Sequence, residues 1–64
     1  MKIIDRITRK RDGALLVIFE NRNGDLIGET YGKGTRKPGS WDSRALFTGK
    51  DACEFRVREY FGFL

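Results

Sequence analysis

Histidine is absent from the chain and cysteine occurs once, at Cys53. Those counts exclude a Cys/His zinc site, a His-paired nucleophile and an internal disulfide, so no metal or cofactor is expected. The side chains that remain able to do chemistry are cationic. Arg6, Arg9, Lys10 and Arg11 form one basic cluster, and Lys33, Arg36, Lys37 and Arg44 form a second around a glycine-rich stretch. Arginines along a strand can meet phosphates or base edges, and a basic loop can follow a phosphate backbone, each contact releasing counterions. The plainer readings are an edge strand charged against aggregation and a solvated loop. Trp41 beside the second cluster could stack on a base, or plug the edge of a small core, the commoner use of such a residue. Tyr31 is a candidate for the same surface.

Two segments approach a phosphate-binding loop and fail. Gly28-Glu29-Thr30-Tyr31-Gly32-Lys33-Gly34 has too few residues between its glycines and ends in Gly where Ser or Thr would meet magnesium. Gly34-Thr35-Arg36-Lys37-Pro38-Gly39-Ser40 has the spacing but no lysine at the required place. Residues 11–19 faintly share the shape of the central RNA-recognition strand, without its stacking aromatics.

The elements that must position these groups belong to a short chain. Sixty-four residues allow one small domain spanning 1–64, and 39% hydrophobic with 12% aromatic residues is enough to fold it. So small a core holds few strained or desolvated catalytic groups, which favours binding over catalysis. Its longest apolar run, Ala14–Phe19, is far below the roughly 20 residues of a membrane span, and no apolar leader precedes it, so a soluble cytoplasmic protein is expected. The net charge of +4 is unevenly spread: residues 1–12 carry +3, 13–32 carry −2, 33–44 carry +3, and the rest balance.

Asp12-Gly13 and Asn23-Gly24 separate three strand-like segments, each dipeptide suiting a two-residue hairpin turn. Tight turns would pair Ile7 with Ile18 and Leu16 with Tyr31, leaving Arg9, Arg11, Ile27, Glu29 and Tyr31 on an open face with Leu16 and Ile18. The opposite face, with Ile4, Leu15, Val17, Phe19, Leu26 and Gly28, is then the expected core. Residues 32–43 read as a loop, and Arg44–Phe47 as an optional fourth strand. Thr48-Gly49-Lys50-Asp51 resembles a capping box opening a helix whose stripe is Cys53, Val57, Tyr60 and Phe61, with Cys53 in the core and Gly62 as the stop. The expected fold is α+β: a three-stranded antiparallel meander with one C-terminal helix packed on one face.

That order, with Phe47, Thr48 and Ala52 opening the helix, resembles the arm-site-binding domain of tyrosine recombinases and the plant ethylene-response DNA-binding domain. The resemblance implies a sheet face laid in the DNA major groove, which would fall on Arg9, Arg11 and Tyr31. The expectation is a small nucleic-acid-binding domain for double-stranded DNA, using the sheet face and the basic loop. The alternative is a protein-interaction module, such as a small phage-type inhibitor of a host complex, meeting an acidic protein surface; a homodimer is compatible with either.

Overall fold

The apolar run at the centre of the first half makes the middle of a sheet. In the computed structural model, which describes residues 1–34 and 37–64, four strands form an antiparallel sheet in sequence order. They are β1 (Lys2–Thr8), β2 (Leu15–Glu20), β3 (Leu26–Tyr31) and β4 (Ser43–Phe47). The optional fourth strand is present, so the sheet has four members rather than three. A 3-10 turn at Gly49–Asp51 leads into the single α-helix, α1 (Glu54–Phe61).

Neither hairpin is closed by a two-residue turn, and this corrects the expected register. Between β1 and β2 the Gly13 amide donates to the Arg9 carbonyl and the Arg9 amide to the Ala14 carbonyl, closing a four-residue loop. Ile7 therefore faces Leu16, a shift of two that leaves the sheet faces unchanged. Between β2 and β3 the Asn21 amide donates to the Asp25 carbonyl around a three-residue loop, and Asn21 Oδ1 accepts from the amides of Asn23 and Asp25. Ile18 consequently faces Gly28 and Leu15 faces Tyr31, a shift of one that exchanges the faces of β3 relative to β2. Gly13 and Gly24, at φ +73 and +84, hold the left-handed position that ends each loop.

The core lies on the face of Leu16, Ile18 and Leu26, joined by Phe47, Val57 and Phe63, not on that of Leu15, Val17 and Phe19. Gly28 is correctly placed on the helix side, and there its role is spatial. A Cβ on Gly28 would stand 2.6 Å from Phe61 and 2.7 Å from Val57, so the missing side chain is what lets α1 lie against β3.

The helix is shorter than expected. Thr48 makes no side-chain cap bond, α1 begins after Cys53, and Cys53 is exposed rather than in the core. Of the expected stripe, Val57 is fully buried and Phe61 partly so, while Tyr60 lies at the surface, edge-on to Phe47 at 5.4 Å. Gly62 stops the helix as expected: its φ is +77, its amide reaches back to Glu59, and the Phe63 amide reaches the Arg58 carbonyl. Phe63 then turns in to close the core.

Candidate nucleic-acid interface

An antiparallel meander sends the β1–β2 and β3–β4 connections to the same end of the sheet, so topology alone brings the two basic clusters to one end. The contact is direct. The Lys33 stem lies over Gly13, close enough that a Cβ there would be 3.1 Å from Lys33 Cδ. Lys10, Arg11 and Lys33 are exposed at this end, and Lys37, further along the β3–β4 connection, is exposed as well. Arg36, the remaining residue of the expected loop cluster, lies outside the described residues.

Other expected site residues are engaged within the protein. Arg9 points to the helix side, not to an open sheet face. It makes a two-point ion pair with Asp12, at 3.0 and 2.7 Å, and donates through Nη1 to the carbonyls of Phe61 and Gly62, both at 3.1 Å. Its guanidinium also lies 4.4 Å from the centre of the Phe63 ring. A cation on the unpaired carbonyls at a helix C-terminus is favoured by the helix dipole, so Arg9 ties the first strand to the last turn of the chain. Asp12 is held down to about 2 by the hydrogen bonds from Arg9 and from the Ala14 amide.

Tyr31 and Arg44 meet on the face away from the helix. Glu29, buried there, accepts from the Tyr31 hydroxyl at 2.9 Å and from Arg44 Nε at 3.0 Å. Tyr31 is buried, so it is not a stacking surface, and burial followed by the Glu29 carboxylate raises its pKa. This trio lies at the root of the β3–β4 connection, whose Pro38 lines a cavity with Leu15, Val17 and Tyr31. Trp41 is half exposed with the Arg44 guanidinium 5.9 Å from its ring centre, so it is presented outward instead of plugging the core.

A cleft of about 760 Å³ opens beside this end, walled by Arg9, Asp12, Trp41, Asp42, Arg44 and Tyr60. Its two carboxylates are matched by the guanidiniums of Arg9 and Arg44, themselves held by Asp12 and Glu29, so the cleft wall has no net positive charge. Among the described residues no group of three or more His, Cys, Asp or Glu is placed to hold a metal, and no helix is long and apolar enough to cross a membrane. Glu29 and Asp12 were not among the expected site residues. The spacing of Arg9 and Asp12 across one turn was a readable signal, whereas the β3–β4 register that sets Glu29 opposite Arg44 was not.

Comparison with protein-family models, curated proteins and solved structures finds no match to this chain.

Proposed function

We propose that this is a small nucleic-acid-binding domain that holds the phosphate backbone of double-stranded DNA at its loop end. The observation that supports the reading best is the packing of Lys33 on Gly13, which joins two sequence-distant basic loops into one exposed surface carrying Lys10, Arg11 and Lys33, with Lys37 exposed further along the same connection. The outer sheet face favours base reading less: one cross-strand row is apolar, Ile3, Phe19, Ile27 and Leu46, and in the central row, Arg6, Val17, Glu29 and Arg44, the Arg44 guanidinium is held by Glu29. Contact through the loops alone is then tolerant of sequence.

A salt titration tests this. Four phosphate contacts imply a log–log slope of roughly −3.6 for affinity against salt. Replacing Lys10, Arg11, Lys33 and Lys37 by Gln should remove most of that slope with little change in thermal stability, because exposed loop cations contribute little to the core. Absence of duplex binding at about 50 mM salt, where such contacts are strongest, defeats the proposal. The basic end would then be a complement to an acidic protein surface, a reading that the apolar outer row also favours.

A further inference from the structure

The two edges of the sheet are built differently. β1 is closed to further strands in three ways. A bulge at Ile4 breaks its register between Ile3 and Asp5, Lys2, Asp5 and Arg6 place charge along it, and the Arg6 amide is already taken by Asp5 Oδ1 at 2.8 Å. Natural sheets protect exposed edges by these devices. β4 has none of them. It pairs with β3 without a bulge over Ser43-Arg44-Ala45-Leu46-Phe47, and the chain's only proline lies outside it. Among the described residues its backbone makes no hydrogen bond beyond the ladder to β3. Its one charge, on Arg44, is drawn back to Glu29 on β3. Leu46, on this edge, is 60% exposed and ends the apolar row that begins at Ile3 and crosses all four strands.

We infer that β4 is a pairing edge for a second copy of this chain, the two β4 strands running antiparallel about a two-fold axis at Ala45. That register is chosen by charge and size. It sets Arg44 of each copy opposite Leu46 of the other, where the arginine stem packs on leucine and its head stays in water. On the helix side it sets Ser43 opposite Phe47 and Ala45 opposite Ala45, so every facing pair there includes a small residue. Centring on Arg44 would oppose two arginines, and centring on Leu46 would leave fewer paired residues. The joined sheet has eight strands and ends on the two protected β1 edges, so association stops at the dimer. The exposed Trp41 side chains lie beside the new junction and are available to widen it. This inference is independent of nucleic-acid binding, since the loop tips take no part in the pairing.

Light scattering across a concentration series, without nucleic acid, tests it. The expected result is a monomer–dimer equilibrium, with amide exchange at Arg44 and Leu46, whose N–H groups point away from β3, slowing as concentration rises. Leu46→Lys should weaken the dimer at least about tenfold by opposing lysine to Arg44 of the other copy. Ile3→Lys, at the far end of the same apolar row, should leave the dimer intact; both variants are checked for the native circular dichroism spectrum. Monomer at every concentration to about 1 mM overturns the inference. Loss of association in Ile3→Lys but not in Leu46→Lys also overturns it, and points to face-to-face packing of the outer surfaces instead.

Discussion

At the scale of single residues, two carboxyl groups bind protons in opposite senses. Asp12 is lowered from 3.8 to about 2 by Arg9 and the Ala14 amide. Its ion pair thus adds stability above the unfolded value, and that stability is lost as pH falls through 3.8 toward 2. Glu54 is raised, first by its hydrogen bond with Asp5, then by burial and the Asp5 charge, with Arg58 opposing. The folded state therefore favours protonated Glu54, and this contribution is full below the ordinary carboxyl value and lost as pH rises through the folded one. Asp12→Asn should flatten the stability profile between about pH 4 and 2. Glu54→Gln should stabilise the protein at pH 7, with the gain fading in acid. Urea midpoints across that range check both, and a Glu54→Gln variant less stable at pH 7 would show the helix dipole outweighing Asp5.

At the scale of elements, the helix start is the sharpest point of difference between sequence and structure. Thr48 has the spacing of a cap but makes no cap bond, because the chain spends Gly49–Asp51 in a 3-10 turn before α1 begins at Glu54. Thr48→Ala should then change stability by less than about 0.5 kcal/mol, where a working cap would cost about 1. Cys53 should react with a thiol reagent at similar rates in the native and urea-unfolded protein. A slow native reaction would bury Cys53 and restore the longer helix. The strands show what could be read. Asp12-Gly13 and Asn23-Gly24 mark where the chain reverses, since glycine supplies a positive φ in several hairpin loops. They do not say how many residues each loop holds. The Asn21 side chain, closing a three-residue loop around two amides, decides the second register and with it which face of β2 shares the helix side with Leu26 and Gly28.

At the scale of the whole molecule, the candidate site divides along the same line. That Lys10, Arg11 and Lys33 gather at one end follows from meander connectivity and was legible in the order of strands and charges. The inward role of Arg9 was not, because its partners, the Phe61 and Gly62 carbonyls and the Phe63 ring, come from the opposite end of the chain. This closure bears on stability as a whole. A chain of 64 residues has net stability of only several kcal/mol, and α1 is eight residues long, too short to persist without tertiary packing. Phe63 is 4% exposed and supplies both part of the core and the surface on which Arg9 rests, whereas Leu64, one residue on, is 70% exposed. Phe63→Ala should therefore cost about 3 kcal/mol or more, a large share of the total, and release α1 and the first strand together in one transition. Leu64→Ala should be neutral within about 0.5 kcal/mol. Urea unfolding followed by far-ultraviolet circular dichroism and by Trp41 fluorescence gives the comparison. Coincident curves with a much lower midpoint for Phe63→Ala are expected, and equal midpoints for the two variants would show that the sheet stands without its C-terminal clasp.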